Sequence, residues 1–269
     1  MVAGGCALNV AAALGRHGRA VAHAGLRGPD AAGATVAGTL AAHGVADLAL
    51  VRDDLATGRY TALVEPDGTL ALAAAAMEAY GRAELLARHA PYREAALSAD
   101  ALVLDANGPP GAVAALAAAR GRGTRLVLLA TSPRKAPHLA AVLGEAALLF
   151  ANEAEWAAMN VSAAMEGSPP RLAVVTDGAR GVRVLENGRE ALRRPSRADL
   201  VRDVIGAGDA LAAGTIHAWL AGAPIAVAVE RGLDWAARCL AHPDALGWLA
   251  AAKPATDGPD AEGEAGGAR

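Results

Sequence analysis

The sequence predicts an α/β fold built on a mainly parallel sheet with crossover helices. Strand and helix patterns alternate along most of the 269 residues, which is the order typical of such sheets. Hydrophobic residues make up 54% of the chain, so one large domain or two small ones can bury a sizeable core. Much of this fraction is alanine and only 3% of the chain is aromatic, so we expect a core of small, closely packed side chains.

The first part of the chain predicts two helices, one strand and a hairpin. In chain order these are a helix at residues 7–17, a strand at residues 20–26 and a helix at residues 34–43. Residues 59–65 and 69–75 then flank Pro66-Asp67-Gly68, a turn sequence that predicts an antiparallel hairpin. A hairpin inside a series of crossover units indicates a small accessory sheet, such as a lid, at about residues 58–76.

The alternation resumes after residue 100. Strands are predicted at residues 101–105, 126–130, 146–150 and 172–176, with helices at residues 112–120, at residues 136–143 and from Glu153. Asn187-Gly188 is a strong hairpin signal between strands at residues 182–186 and 190–194, and two helices follow at residues 208–221 and 225–241. Residues 253–269 are rich in Gly, Pro and acidic residues, so we expect a disordered tail behind one domain at residues 1–252.

Charge and cysteine content exclude several classes of protein. A net charge of −3 without a long Lys/Arg run argues against a nucleic-acid partner. No apolar stretch is long enough to span a bilayer, and the apolar start of the chain has neither a basic segment before it nor a cleavage signature. Cys6 and Cys239 form no spaced motif and fit a reducing compartment. We therefore expect a cytoplasmic protein.

A glycine-rich loop before a helical pattern carries the clearest chemical signal. It reads Asp203-Val-Ile-Gly-Ala-Gly-Asp209 and precedes the apolar run at residues 210–220. Glycines at a helix start let backbone N–H groups converge on an anion, and the helix dipole adds partial positive charge there. Asp209 could then accept a proton from a hydroxyl beside a bound phosphate. By spacing alone, a plain loop with a helix-start acid is an equal interpretation.

Residues 203–214, DVIGAGDALAAG, resemble the second signature of the ribokinase-like (PfkB) carbohydrate kinases, D-T-x-G-A-G-D-x-F-x-x-G. The resemblance implies a ribokinase-like three-layer α/β/α sandwich with a small β lid. It also implies that Asp209 is the catalytic base and that Gly206, Ala207 and Gly208 form the anion hole for the transferred phosphate. Val204 and Leu211 depart from the pattern without removing a catalytic atom.

Three further segments are similar to family motifs and occur in the family's order. Residues 4–18, GGCALNVAAALGRHG, resemble the first signature, which implies that Gly4, Gly5 and Asn9 bind the substrate. Asn152-Glu-Ala-Glu155 resembles the N-x-x-E motif, with Asn152 near ATP and Glu155 near magnesium, although it is also a helix capping box. Residues 174–181, VVTDGARG, are similar to the segment that borders the nucleotide, which implies that Thr176, Gly178 and Gly181 bind ATP.

Within the family, four segments resemble pseudouridine kinases: the Gly-Gly-x-x-x-Asn entry, residues 60–68 with 76–80, residues 104–107, and residues 131–135. Asp105 and Asn107 could bind ribose hydroxyls, while Met77 and Tyr80 could form a wall for the base. The structural alternatives stay open, since Asn107 also suits a turn and Met77 a core.

The resemblance implies ATP and Mg²⁺ as cofactors, K⁺ as a candidate cation, a nucleoside or sugar as acceptor, and a homodimer through the lid as a candidate assembly. Against the family pattern, the chain starts almost at Gly4, which predicts that a first strand, a sugar-binding Asp and half of the lid are missing. A non-catalytic nucleotide-binding homologue and another sugar or nucleoside kinase are therefore the alternatives. A Rossmann dehydrogenase fits poorly, because the glycine loop lacks the third glycine of the dinucleotide fingerprint. A P-loop kinase is excluded, because the sequence has no Walker A segment.

Overall fold

The computed structural model describes residues 2–64, 70–161 and 169–250. The α-helices of this part are α1 (Cys6–Arg16), α2 (Ala31–Ala42), α3 (Ala90–Ser98), α4 (Pro110–Ala118), α5 (Glu153–Val161), α6 (Ala207–Leu220) and α7 (Ile225–Leu240). The strands are β1 (Val21–His23), β2 (Leu26–Arg27), β3 (Val45–Asp47), β4 (Leu50–Val51), β5 (Arg59–Val64), β6 (Leu70–Ala76), β7 (Ala101–Asp105), β8 (Arg125–Leu129), β9 (Ala146–Asn152), β10 (Leu172–Thr176), β11 (Val182–Glu186) and β12 (Arg189–Arg194). Two longer 3₁₀ segments span Glu78–Arg88 and Ala136–Glu145.

A six-stranded sheet with the order β12-β11-β10-β9-β8-β7 forms the centre of the molecule. Strands β7 to β10 pair in parallel, and β11 and β12 continue the sheet antiparallel. The turn between β11 and β12 uses Asn187 at φ 50° and Gly188 at φ 78°, the left-handed pair that a two-residue hairpin requires. The mainly parallel sheet and this hairpin confirm the sequence prediction.

Helices cover both faces of the sheet, because successive side chains of a strand point to opposite sides. On β8, Val127 and Leu129 pack in a cluster with α1, α6 and α7. Leu126 and Leu128 point the other way, into a cluster with α4, α5 and the Ala136–Glu145 segment. The result is the three-layer α/β/α sandwich, and burying each of these side chains contributes about 1.5–3 kcal/mol.

Close packing through glycines fixes helix α6 against α7. A Cβ on Gly232 would lie 2.2 Å from Thr215 Oγ1, and one on Gly214 would lie 2.8 Å from the Arg231 carbonyl oxygen. Neither position therefore tolerates a side chain without moving a helix. Helix α1 is held by its C-terminal end, where the His17 ring stacks on Trp235 of α7 with centroids 3.9 Å apart. At their other ends α1 and α6 meet directly, where Asn9 of α1 donates to Asp209 of α6.

Within the described residues, three small sheets lie outside the central one. Strands β1 and β3, and likewise β2 and β4, form parallel pairs, while β5 and β6 form the antiparallel hairpin. The predicted strand at residues 20–26 is wrong as one element, since it divides at residues 24–25 into β1 and β2 with different partners.

Other differences from the sequence prediction are local. Helix α3 was missed, and the helix predicted at residues 136–143 is a 3₁₀ segment, Ala136–Glu145. The proposed turn at Pro66-Asp67-Gly68 and the tail at residues 253–269 lie outside the described residues. Among the helices that the structure describes, none has the length and apolar character needed to cross a membrane.

Candidate active site

The predicted site residues gather at the carboxyl ends of the parallel strands. Asp105 ends β7, Asn152 ends β9 and Thr176 ends β10, and the register pairs Thr176 with Asn152. Ligands of α/β proteins bind in the crevice outside this edge of the sheet. Residues that are far apart in the sequence therefore meet at one edge of the sheet.

The glycine loop forms the N-terminus of α6. Gly206 is the N-cap residue at φ 83°, and a Cβ there would lie 2.5 Å from the Ala245 Cβ, so no other residue fits without displacing the loop. The first N–H groups of a helix have no partner within the helix, and the dipole makes this end positive. Beside exposed Gly208 a Cβ would meet no atom within 4 Å, which leaves room for an anion. The loop can bind a phosphate.

Asp209 lies in the first turn of α6, and α1 supplies a hydrogen-bond donor to its carboxylate. Asn9 Nδ2 donates to Asp209 Oδ2 at 2.7 Å. Part of Asp209 stays accessible, yet the surrounding protein removes enough hydration to raise the pKa of its carboxyl. The hydrogen bond from Asn9 and the nearby Cys6 thiol lower this pKa, and the charge of Asp105 raises it, with a net rise.

Gly4 and Gly5 lead into α1 at the same place. Gly5 has φ 115°, and a Cβ on either glycine would meet no atom within 4 Å. Both residues are exposed, so their backbone groups are available to a ligand beside Asp209. The first signature thus contributes exposed backbone groups at Gly4 and Gly5. It also contributes the Asn9 side chain, which binds the Asp209 carboxylate.

Asn152 and Glu155 form a capping box at the start of α5. The Asn152 N–H donates to Glu155 Oε2 at 2.8 Å, and the Glu155 N–H donates to Asn152 Oδ1 at 2.9 Å. Glu155 is only 8% exposed, and burial, followed by the charge of Asp209, raises the pKa of its carboxyl. A cation beside Glu155 would relieve both effects, so this carboxylate could hold Mg²⁺. The described residues contain no cluster of three metal-binding side chains.

The segment after β10 forms a tight turn beside the capping box. The Asp177 N–H donates to the Gly181 carbonyl oxygen at 2.8 Å, and Gly178 and Gly181 have φ 54° and 92°. A Cβ on Gly181 would lie 2.1 Å from the Arg194 carbonyl oxygen, so this glycine lets β12 approach. Thr176 and Gly178 remain at the strand edge, where a nucleotide could reach them, while Gly181 is buried and acts on the turn.

Asp105 and Asn107 are linked to each other and to a lysine. Asn107 Nδ2 donates to Asp105 Oδ2 at 2.7 Å, and Lys135 Nζ donates to Asn107 Oδ1 at 2.6 Å. Thr131, which follows β8, accepts the Ala106 N–H at 3.2 Å and adopts φ 68°, a strained value for a β-branched residue. The link leaves lone pairs on both Asp105 and Asn107 for a polar ligand.

Tyr80 and Met77 approach this cluster from the side of the lid hairpin. A Cβ on Gly58 would lie 2.7 Å from Tyr80 Cε2 and 3.2 Å from Met77 Sδ, so glycine is needed where the hairpin meets them. Burial, followed by the charge of Asp105, raises the pKa of Tyr80 to about 12. Its hydroxyl therefore remains protonated at neutral pH.

Sequence reasoning missed Cys6 and His23 as residues of this region. His23 faces Asp105 and Asp47, and burial lowers the pKa of its imidazole. The sequence contained a signal for Cys6, because it precedes Asn9 by three positions and residues at i and i+3 share a helix face. Nothing in the sequence pointed to His23.

The comparisons with known proteins agree with this geometry. The model of the family described as pfkB family carbohydrate kinase matches residues 1–246. A carbohydrate kinase from Agrobacterium tumefaciens is 32% identical, with a TM-score of 0.78 over 93% of this chain and 85% of that one. No curated protein matches the chain.

Two more distant structures share the fold. A ribokinase from Cryptococcus neoformans in complex with ADP is 21% identical, with a TM-score of 0.72 over 91% of this chain and 85% of that one. An adenosine kinase from Sinorhizobium meliloti is also 21% identical, with a TM-score of 0.68 over 92% of this chain and 81% of that one.

Proposed function

Because the chain belongs to the pfkB family of carbohydrate kinases, we propose that it transfers the γ-phosphoryl group of ATP to the 5′-hydroxyl of a ribosyl nucleoside, with pseudouridine as the first acceptor to test. Membership of the family implies a phosphotransferase with an alcohol acceptor. The acceptor and the roles of individual residues are the content of the proposal.

One observation carries the proposal, namely the position of Asp209. Its carboxylate, largely surrounded by protein, lies in the first turn of α6, directly after the glycine loop. Asp209 is close enough to the Gly206–Gly208 N–H groups for one ligand to contact both, since they are consecutive in one helical turn. Phosphoryl transfer needs in-line positioning, charge stabilisation and a weak base. The helix N-terminus would supply the charge stabilisation, and Asp209 would be the base.

In the proposed reaction, Asp209 accepts the proton of the acceptor hydroxyl as its oxygen bonds to the γ-phosphorus. The bond from that phosphorus to the β–γ bridging oxygen breaks, and ADP leaves with the bonding electron pair. The N–H groups of Gly206, Ala207 and Gly208 donate to the equatorial oxygens of the transferred group. The raised pKa of Asp209 makes its carboxylate a stronger base than that of an ordinary aspartate.

ATP would lie along the edge formed by Asn152, Thr176 and Gly178, with Gly181 shaping the turn. Glu155 would hold Mg²⁺ through its carboxylate or through a bound water, and the ion would supply positive charge to the phosphate oxygens. The Asn152 side chain keeps Glu155 in place through the capping box. K⁺ and the lid-mediated homodimer remain proposals on the family resemblance alone.

The nucleoside acceptor is supported by the cluster beside Asp209. Asp105 and Asn107 offer acceptor lone pairs suited to ribose hydroxyls, and Tyr80 with Met77 offers a flat and adaptable wall suited to a base. Gly4 and Gly5 would contribute backbone groups to the same acceptor. Ribose, adenosine and a fructose-type sugar are the alternative acceptors, because the family includes sugar and nucleoside kinases.

A coupled ADP-release assay tests the proposal. We expect turnover with pseudouridine to exceed turnover with uridine, adenosine, ribose and fructose, and to vanish in Asp209→Asn. Faster turnover of another acceptor would replace pseudouridine and keep the kinase. Nucleotide binding by calorimetry without ADP release from any acceptor would instead support the non-catalytic homologue.

A further inference from the structure

The loop before α6 has no buried side chain of its own to hold it. None of residues 200–205 is buried, and the apolar side chains of Val204 and Ile205 are 70% and 61% exposed. A segment with few buried apolar contacts is held only by its backbone bonds and by its neighbours. The position of Gly206, and of the N–H groups that follow it, must therefore be set from outside the loop.

The last turn of α7 and the residues after it supply these contacts. The Arg202 N–H donates to the Leu240 carbonyl oxygen at 2.7 Å, which ties the start of the loop to the end of α7. At the other end of the loop, a Cβ on Gly206 would lie 2.5 Å from the Ala245 Cβ and 2.8 Å from its Cα. The loop is thus held between α7 and Ala245.

The thiol of Cys239 fills the space between the loop and Ala245. Its Sγ lies 3.6 Å from the Ile205 carbonyl oxygen and 3.8 Å from the Ala245 carbonyl oxygen, and Cys239 is 1% exposed. One thiol proton can serve either oxygen, and S–H···O bonds are weak. The bonds that fix Ala245 must therefore come from other residues.

Residues 244–249, which we name the brace, take their shape from the Asp244 carboxylate. Asp244 Oδ1 accepts the Leu246 N–H at 2.9 Å and also the Gly247 N–H. A side-chain oxygen that accepts backbone N–H groups two and three residues further on closes a turn. The carboxylate thus sets the direction in which the chain leaves Ala245.

Trp248 anchors the brace in the core. Trp248 and Leu249 are 2% and 1% exposed, and the Trp248 ring packs against Trp235 of α7 with centroids 5.6 Å apart. Trp248 Nε1 also donates to the Ala245 carbonyl oxygen at 3.1 Å. From α1, Arg16 Nε donates to the Leu249 carbonyl oxygen at 3.2 Å. The brace therefore connects the core to the residue that contacts the glycine loop.

We propose that Asp244 and Trp248 are positioning residues, which act through Ala245 to hold the N–H groups of the glycine loop against the transferred phosphate. The inference rests on the proposed function, because it assigns these residues to the anion site of that reaction. Both lie outside the motifs that resemble the family, so the resemblance gives them no role.

The brace matters because the direction of three adjacent N–H groups depends on small movements of the loop. Misplacing a group at the reacting centre by about 1 Å costs about 100-fold in rate, since orientation supplies much of the catalysis. Loss of the brace would therefore lower kcat without removing any group that touches the acceptor.

Two substitutions of Asp244 separate positioning from charge. Asp244→Asn keeps Oδ1 as an acceptor for both N–H groups, whereas Asp244→Ala removes it. In Asp244→Ala we expect kcat to fall about 10-fold or more, with the KM for the acceptor changed by less than about 2-fold. In Asp244→Asn we expect kcat within about 2-fold of wild type. An equal loss of kcat in both variants, or no loss in either, would contradict the proposal.

Trp248→Phe keeps an aromatic ring in the core but removes the bond to the Ala245 carbonyl oxygen, so kcat should fall about 3- to 10-fold. Thr124→Ala is the control for lost stability. Thr124 is buried before β8, at the end of the sheet opposite the site, and its Oγ1 donates to the Ala99 carbonyl oxygen at 2.8 Å. This control should unfold at a lower urea concentration and keep its kcat. An equal loss of kcat in the two variants would mean that activity merely follows stability.

Proteolysis reports on the loop without turnover. Thermolysin cleaves before large apolar residues, so the exposed Val204 and Ile205 offer it two bonds once the loop opens. The cleavage rate follows the population of the open form when opening and closing are fast. We expect cleavage at these bonds, read by mass spectrometry, to be about 3- to 10-fold faster in Asp244→Ala than in wild type. Asp244→Asn and Thr124→Ala should be cleaved at the wild-type rate.

Equal cleavage rates in wild type and Asp244→Ala would overturn the role of the brace. A rise in Thr124→Ala as large as in Asp244→Ala would also contradict it, because cleavage would then follow global unfolding. If no acceptor is turned over, the proposed function fails, while the cleavage rates still decide whether Asp244 holds the loop.

Discussion

The side chains of Asn9 and Asp209 meet at 2.7 Å although the residues are 200 positions apart in the chain. One comes from the first signature of the family and the other from the second. Their contact joins the open backbone of Gly4 and Gly5 to the anion loop of α6. The acceptor and the transferred phosphate would therefore meet at a single carboxylate.

Replacing Asp209 by Asn should reduce kcat by about 10²–10⁴-fold, because a positioned general base contributes that much. The KM for ATP should change little, since the N–H groups of the loop remain. Initial rates of ADP release measure both values. Asp199→Asn serves as the control on an exposed surface and should keep wild-type rates. Full activity of Asp209→Asn would remove Asp209 from the mechanism.

The raised pKa of Asp209 also predicts how stability depends on pH. A carboxyl whose pKa is higher in the folded state stabilises the fold below its unfolded pKa, and this contribution is lost as pH rises through the folded pKa. At pH 7 the ionised carboxylate is therefore a net cost. We expect Asp209→Asn to melt above wild type at pH 7 and no higher than wild type at pH 4.

Thermal melting at pH 4, 5, 6 and 7 follows this difference. Asp199→Asn should show no trend across the same range. A lower melting temperature of Asp209→Asn at pH 7 would mean that the hydrogen bond from Asn9 outweighs the loss of hydration.

Gly206→Ala should lower both activity and stability. Alanine at φ 83° is strained, and its Cβ would lie 2.5 Å from the Ala245 Cβ, so the loop must move. Gly222→Ala is the matched control. Gly222 follows the C-terminal end of α6 and also has a positive φ, 92°, but a Cβ there would meet no atom within 4 Å. The control should lose only about 1–2 kcal/mol in urea unfolding and keep its kcat. Similar kcat values for the two variants would contradict the anion loop.

Two substitutions of Glu155 separate capping from metal binding. Glu155→Gln keeps an oxygen to accept the Asn152 N–H, so its melting temperature should stay within about 2 °C of wild type. It loses the charge, so we expect the Mg²⁺ concentration for half-maximal rate to rise by about tenfold or more.

Glu155→Ala removes both functions and should lower the melting temperature as well. Titration of the initial rate with Mg²⁺, beside thermal melting, distinguishes these effects. An unchanged Mg²⁺ requirement in Glu155→Gln would leave Glu155 with the capping role alone.

The sequence by itself determined the parallel sheet, the hairpin at Asn187-Gly188 and the glycine loop before Asp209. It gave the bounds of β7, β10 and β11 correctly, because their apolar patterns are short, continuous and bounded by turn residues. These features depend on local backbone preferences and on side-chain periodicity, which neighbouring residues encode.

Only the tertiary structure decided which side chains act together. It divided residues 20–26 between β1 and β2, because their strand partners β3 and β4 are different segments. It placed Asn9 on Asp209, and Lys135 on Asn107, since such contacts depend on how helices and strand ends pack. Local patterns carry no information on contacts across 200 residues; the packing of α1 against α6 supplies it.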